Sequence, residues 1–475
     1  MNTLQHLRLL ALLALVGLSP LCALAQEAEG STADPKYAES RNSDACKAEE
    51  KRIKEQRKES LKSLDKGKGK VKKAMRFIIP RMYLQYFCYD PLDYFEIVLK
   101  GDTYLDKAME KTDTASYFLL YLKGVVKMES QQYADALPYF ERAMDQLGEG
   151  ADQRYHFYYA RALHLNGDYE TALEHYTKAL SKISGENYFS QALKDYIQQC
   201  NNALLLSDPD SEVDIKNLGT KVNSFDMEYA PVVTPDDSVL YYTVRGRGPK
   251  CQLPKRKANK LEKLRVKKAS SLYLENIYRT ERTSEGAEGW DCPQMLPKPI
   301  NKKRYDNASS FVTTNDDTLY IYQRKMFRLK KEQALGNLFM ITKNENAEDV
   351  SKKSAWGELV EIEGVNSDAH EPHIAISADR SFAIFASDRP GGYGGYDLYI
   401  AYSTGDGQFG QPQNLGETIN TAEDERAPFI HKNGKTVYFS STGHSSIGGH
   451  DIFKTRLYAG EWKEPQNLGA PMNSA

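Results

Sequence analysis

Two stretches in the C-terminal part of this 475-residue chain repeat each other at an offset of 54 residues. Gly394-Gly395-Tyr396-Asp397-Leu398-Tyr399 returns as Gly448-Gly449-His450-Asp451-Ile452-Phe453. The block from Phe409 to Gly416, with its proline and Asn-Leu-Gly, returns as Trp462 to Gly469. A repeat of this length is one supersecondary unit that buries its apolar face only by stacking on copies of itself. The first half of each unit alternates as β structure does. Glu228-x-x-Pro231-x-Val with Asp236-Asp237 and Tyr241-Tyr242 matches Glu425-x-x-Pro428-x-Ile with Asn433-Gly434 and Tyr438-Phe439 at identical spacing. Asn307, Ser310, Asn315-Asp316 and Tyr320-Ile321 form a weaker copy, and Glu371, Ile374, Asp379-Arg380 and Ile384-Phe385 another. Strand, tight turn and strand make a β-hairpin. The Asp-Leu/Ile-Tyr/Phe element is then a third strand, with simpler copies at Asn337-Leu338-Phe339 and Ser271-Leu272-Tyr273. Four short strands per unit is the plan of a propeller blade.

Upstream, over 75–206, the period is helical, and a second repeat runs at an offset of 36. Tyr133-Ala-Asp-Ala136-Leu-Pro-Tyr-Phe140-Glu-Arg-Ala143 aligns with Tyr169-Glu-Thr-Ala172-Leu-Glu-His-Tyr176-Thr-Lys-Ala179, preceded at the matching place by Gly124 and Ala160. Two helices of a hairpin approach closely only where side chains are small, and an aromatic fills the groove one turn later. Asn166-Gly167-Asp168 is the expected turn between the helices of the second copy. The pattern resembles the tetratricopeptide repeat: Gly124, Ala136, Phe140 and Ala143 match one copy, and Ala160, Ala172, Tyr176 and Ala179 the next. The proline that closes such repeats is missing, and residues 81–112 look like a degenerate earlier copy. The expected fold is thus multidomain: α-helical repeats over 75–206, then a β-propeller, complete or partial, over 216–475.

The β motifs resemble the WD40-like propeller repeats of the Tol-Pal system. They are closer still to the propellers of Bacteroidetes-type OmpA-family envelope proteins, in which tetratricopeptide repeats precede the propeller. Some members of that family belong to type IX secretion and gliding machinery. The resemblance implies a non-catalytic scaffold that binds proteins of an envelope assembly. A Tol-Pal-like accessory propeller is the alternative, and a glycan-binding or hydrolytic propeller a further one. The family's C-terminal OmpA-like domain has no counterpart here, so its peptidoglycan binding is not carried over. The segment Asn467 to Ala475 reads as the opening of a fifth repeat.

The N-terminus supports export. One positive charge precedes the apolar run Leu9–Leu18, and Ala23-Leu24-Ala25 is a small-x-small cleavage site, so 1–25 reads as a signal peptide cleaved after Ala25. The run is too short to span a bilayer, and no later window is apolar enough. Export implies the periplasm, with possible peripheral association with the outer membrane. Residues 26–74 form a polar leader and a charged helix. In an oxidising compartment Cys251 and Cys292 could close a disulfide across the segment between them, and Cys46 could pair with Cys88; free thiols are the alternative.

With 63 basic and 65 acidic residues the net charge is −2, and no global field points to nucleic acid. One local field does exist. The basic insertion 245–268 holds eleven Lys/Arg, and Lys255, Arg256, Lys257 and Lys260 are candidate contacts to an anionic partner; a solvated surface loop is the plain alternative. There is no Gly-x-Ser-x-Gly elbow, phosphate loop or His-Glu-x-x-His, so no catalytic, cofactor or metal residue is assigned. Asp397 and Asp451 recur at matching positions beside glycines. That marks them as turn caps, with calcium the other reading. His370, His373, His431, His444 and His450 show no metal-ligand spacing. The 31 tyrosines suit half-buried contact surfaces.

Overall fold

In the computed structural model the described residues run from 105 to 475, apart from 110–116, 207–212, 252–274, 326–335 and scattered single or paired positions. The signal peptide, the leader, Cys46, Cys88, Lys255, Arg256, Lys257 and Lys260 lie outside them. The chain divides into two compact units, one helical and one β. No described helix is long and apolar enough to cross a membrane.

Five α-helices are described in the first unit: α1 (Tyr117–Glu129), α2 (Tyr133–Leu147), α3 (Gln153–Leu165), α4 (Tyr169–Ser181) and α5 (Tyr188–Leu206). Their starts follow from local chemistry. Asp152 accepts a hydrogen bond from the backbone N–H of Arg154 at 2.9 Å, and Asp168 one from Thr171 at 3.1 Å, each satisfying an orphan donor of the first turn. Helices α1 and α2 pack as one antiparallel hairpin, α3 and α4 as the next. At Gly124 a β-carbon would sit 2.8 Å from the Phe140 ring, so the close approach of α1 to α2 requires glycine there. In the second hairpin Ala160 holds the matching place and is fully buried, as are Tyr176, Ala172 and Ala179. Ala136, Phe140 and Ala143 are buried in the first. Truncating either aromatic would cost about 3–5 kcal/mol.

The second unit consists of four antiparallel sheets, ordered β1-β2-β3-β4, β5-β6-β7-β8, β9-β10-β11 with β12 and β13, and β14-β15-β16 with β17 and β18. The first strands are β1 (Met227–Val233), β5 (Tyr305–Val312), β9 (Ile374–Ile376) and β14 (Glu425–Ile430). The second strands are β2 (Val239–Arg245), β6 (Thr318–Lys325), β10 (Phe382–Ser387) and β15 (Thr436–Ser441). The third are β3 (Glu275–Glu281), β7 (Gly336–Thr342), β11 (Asp397–Gly405) and β16 (Asp451–Tyr458). The outer edges are short: β4 (Gln294–Met295), β8 (Val360–Glu361), β12 (Gln408–Phe409) with β13 (Gln413–Asn414), and β17 (Glu461–Trp462) with β18 (Gln466–Asn467). Successive first strands lie side by side, β1 by β5, β5 by β9 and β9 by β14. These are four blades of a β-propeller.

Each blade repeats the same turn. Asp237, Asp316, Arg380 and Gly434 all adopt positive φ and donate to Thr234, Thr313, Ser377 and His431 three residues back, at 2.8–2.9 Å. The repeated prolines have a mechanical reason as well. The ladders slip between Tyr229 and Val232 and between Arg426 and Phe429, so Pro231 and Pro428 sit in β-bulges, where no ladder donor is needed. Apolar layers fill the spaces between blades: Val239, Ile277, Leu319 and Ile341 between the first two, Leu338, Ile374, Phe385 and Tyr399 between the next, and Ile384, Leu398, Val437 and Phe439 between the last.

An asparagine recurring after the outer edge of all four blades fastens that segment to the blade's third strand. Asn301, Asn366, Asn420 and Asn473 each accept from the backbone N–H, and donate to the backbone C=O, of one third-strand residue: Ile277, Leu338, Leu398 and Ile452. This clamp corrects two sequence expectations. The third-strand copy of the first blade is Asn276-Ile277-Tyr278 and not Ser271-Leu272-Tyr273, because Ile277 carries the clamp; 271–273 lie outside the described residues. The segment from Asn467 completes the fourth blade rather than opening a fifth, because β18 pairs with β16 and Asn473 clamps Ile452. Arg245, placed at the start of the basic insertion, is the last residue of β2.

Candidate functional site

The repeated acids are engaged inside the fold. Glu371 Oε1 accepts from Ser367 Oγ at 2.7 Å, Ser387 Oγ at 2.8 Å and an Arg389 Nη at 3.1 Å. Glu425 accepts from Thr421 Oγ1 and Ser441 Oγ, both at 2.7 Å, and from the Thr421 backbone N–H at 2.8 Å. Glu228 accepts from Ser224 Oγ at 2.6 Å. In the second blade the slot is filled by Asn307, which accepts from Gln323 Nε2 at 2.9 Å and from the Lys302 N–H. The partner residues Lys302, Ser367 and Thr421 directly follow the clamp asparagines, so clamp and acid form one continuous staple between blades. Burial raises the Glu425 carboxyl above its ordinary range, against the hydrogen bonds it accepts.

Asp397 and Asp451 open the third strands as turn caps. Asp397 accepts from the N–H groups of Tyr393 and Gly394 and from Asn414 Nδ2; Asp451 accepts from the Ile447 N–H and Asn467 Nδ2. Burial pushes Asp451 up to about 6. Cys251 and Cys292 are joined by a disulfide, their Cα atoms 5.9 Å apart, and Cys200 is a buried thiol raised to about 12 by burial.

Beyond the motifs, strand register gathers charge at one end of the sheets, where first strands begin and second strands end. Arg245 lies across from both Met227 and Glu275, and Arg324 across from Asp306 and Gly336. Arg245 and Glu275 approach to 3.9 Å, Arg324 and Asp306 to 3.1 Å, His370 and Asp388 to 3.1 Å, and Arg426 and Asp424 to 2.8 Å. Every blade therefore places one carboxylate with a basic partner at this end. The Arg426 guanidinium also lies 4.1 Å from the Tyr396 ring centre. Glu275 and Asp306 are both buried; burial first and the Asp306 charge second raise the Glu275 carboxyl, opposed by Arg245. Burial and the Arg426 charge lower His373 to about 3 and His450 to about 4. His431 instead holds the β14–β15 turn, and His444 bonds the Ile419 carbonyl at 2.9 Å. Sequence reasoning missed Glu275, Asp306, Arg245 and Arg324 as a group. Only the second-strand match, Arg245 to Arg324 at the spacing of Tyr241 to Tyr320, hinted at them.

A second concentration of polar groups lies in the helical unit. A cavity of about 290 Å³ is lined by Glu141, Met144, Asp145, Gly148, Glu149, His156, Tyr159, His175 and Lys178. Burial first, then Glu141, Asp168 and Asp145, raise the Tyr159 hydroxyl to about 12. Among the described tyrosines, Tyr176, Tyr241 and Tyr242 are fully buried in the core, whereas Tyr117, Tyr393, Tyr402 and Tyr458 are exposed.

No family model and no curated protein matches the sequence. Among solved structures, TolB from Acinetobacter baumannii is 12% identical over 52% of this chain and 45% of its own, with a TM-score of 0.31. An α-L-arabinofuranosidase from Lactobacillus brevis is 14% identical over 52% and 70%, TM-score 0.31. A puromycin-hydrolyzing peptidase of Mycobacterium tuberculosis is 13% identical over 53% and 40%, TM-score 0.27. The chain spans less than half the length of the first and third of these structures, and none of the three likenesses bears on activity.

Proposed function

We propose that this chain is an exported, non-catalytic scaffold of the bacterial envelope, its helical hairpins of the tetratricopeptide type and its propeller both serving as docking platforms. The observation that carries the reading is that the repeated polar residues are engaged inside the fold: Glu371 and Glu425 accept from hydroxyl and backbone donors at the seams between blades, and Asp397 and Asp451 cap the turns that open the third strands. Repeat modules whose recurring polar groups serve the fold in this way act through the surfaces they present. The motif resemblance supports the periplasm and, within it, a type IX secretion or gliding assembly, with a Tol-Pal-like accessory propeller as the nearest variant. Cross-linking from intact envelope with this chain as bait tests the reading. Defined secretion or gliding components are expected above a mock bait. Recovery of none, together with turnover of a peptide or glycoside by the purified chain, overturns it.

One observation favours a second reading, a hydrolytic or glycan-binding propeller. Burial and the neighbouring Asp306 raise the Glu275 carboxyl, the kind of environment that prepares a general acid. That reading requires turnover of a glycoside or peptide by the wild type that is abolished in Glu275→Gln.

A further inference from the structure

The α3–α4 hairpin brings together two histidines that stand 19 residues apart in sequence. His156 Nδ1 and His175 Nδ1 are 3.0 Å from each other, and both rings line the 290 Å³ cavity described above. Burial, then the neighbouring His175, Lys182 and Lys178, lower His156 to about 4, with Glu149 acting the other way. Burial and Lys178 lower His175, opposed by Glu174. Two Nδ1 atoms at hydrogen-bond distance require one of them to be an unprotonated acceptor, the form that ligates metals without losing a proton.

The geometry suits a shared cation. Two nitrogens 3.0 Å apart subtend about 90° at an ion about 2.1 Å from each, the angle between adjacent ligands of a five- or six-coordinate ion. Opening the pair by a few tenths of an ångström gives the tetrahedral angle. The surroundings suit it too. Glu141, Asp145 and Glu149 line the same cavity, and among the described residues none of the three is in an ion pair, whereas the one lysine there, Lys178, is paired with Glu174.

We propose that this cavity binds a divalent transition-metal cation of the zinc class, with His156 Nδ1 and His175 Nδ1 as ligands and one carboxylate of Glu141, Asp145 or Glu149 completing the protein's share. Among the described residues no three His, Cys, Asp or Glu side chains already form a full ligand set. The carboxylate is brought in by side-chain rotation, which its exposed position on α2 or the turn after it permits. In the metal-free protein one imidazole donates its Nδ1–H to the other; on binding, that proton moves to Nε2 of the same ring and both rings stay neutral. The ion ties the end of α2 to the α3–α4 hairpin.

The test titrates the full chain with Co²⁺, followed by visible absorption, and with Zn²⁺, followed by calorimetry. Saturable 1:1 binding is expected, with Zn²⁺ displacing Co²⁺. His156→Gln and His175→Gln each weaken it by more than about tenfold, and so does neutralising one of the three acids. Because His156 is buried, folding of each variant is checked by circular dichroism, and the half-buried His175→Gln carries the test on its own if His156→Gln does not fold. Absence of saturable binding by the wild type, or binding that His175→Gln leaves unchanged, overturns the proposal.

Discussion

The second blade and the last two fill one slot with different chemistry. In the third and fourth blades it holds a buried carboxylate, Glu371 or Glu425, surrounded by hydroxyls; in the second it holds Asn307 against Gln323. The backbone donor is common to all three, the residue after the clamp asparagine. What the fold demands is therefore an acceptor at a fixed place, and the charge is a property of the neighbours. Glu371 has Arg389 beside it, at 3.1 Å, while Glu425 has no such cation among its hydrogen-bond partners and sits instead with Ser441 and Thr421.

Breaking the common part has the largest expected effect. Asn420→Ala removes two buried hydrogen bonds, with Leu398 N–H and Leu398 C=O, and a part-buried one to Asn414 Oδ1, and leaves backbone groups unpaired. A loss of roughly 3 kcal/mol is expected in urea unfolding, with a similar loss for Asn366→Ala. An effect below about 1 kcal/mol would mean that the apolar layers, and not the clamps, hold the blades. The two acids come next. Glu371→Gln removes the counter-charge of Arg389 and sets an amide NH2 against either that guanidinium or the Ser367 N–H, both of which can only donate, and is expected to cost about 2 kcal/mol. Glu425→Gln faces hydroxyls that can rotate to accept, and its cost is expected to stay under about 1 kcal/mol. Equal costs for both would erase the distinction between the blades.

A further effect concerns pH. Asp451 is raised to about 6 in the folded chain, against about 4 in an unfolded one, so folding takes up a proton. Its contribution is fully present below about pH 4 and is lost as pH rises toward 6. Asp451→Asn, the residue that stands at this register as Asn276 and Asn337 in the first two blades, is expected to flatten that stretch of the stability profile. Thermal unfolding between pH 4 and 7 reads it directly, and an unchanged slope assigns the proton to another group.

Much of this architecture was legible. The hairpin repeat was visible because a tight turn and an alternating strand each impose a residue type at a fixed step, as at Asp236-Asp237 and Asn433-Gly434. Gly124 and Phe140 were visible because a close helix crossing tolerates few pairs. The clamp asparagines were not, because Asn420 and Asn473 act through their reach to another strand and follow the conspicuous Asn-Leu-Gly by several residues. In the first blade the third strand was misplaced because the lysine-rich insertion stretches the interval between second and third strands. His156 and His175 carried no signal at all, since only the hairpin geometry of α3 and α4 brings them together. The charged pairs at one end of the propeller were hidden for a related reason: register, not spacing, sets Arg245 against Glu275 and Arg324 against Asp306.

The position of the staple has a consequence for how such a chain can change. Clamp and acid acceptor together lie across the junction of two blades, so each seam is written within about seven consecutive residues, from Asn420 to Arg426 in the best-formed case. A duplication or excision that starts and stops anywhere inside a blade leaves every junction with its own asparagine, donor and acceptor. Copy number in this kind of propeller can therefore drift by whole periods without any surviving seam having to be reinvented.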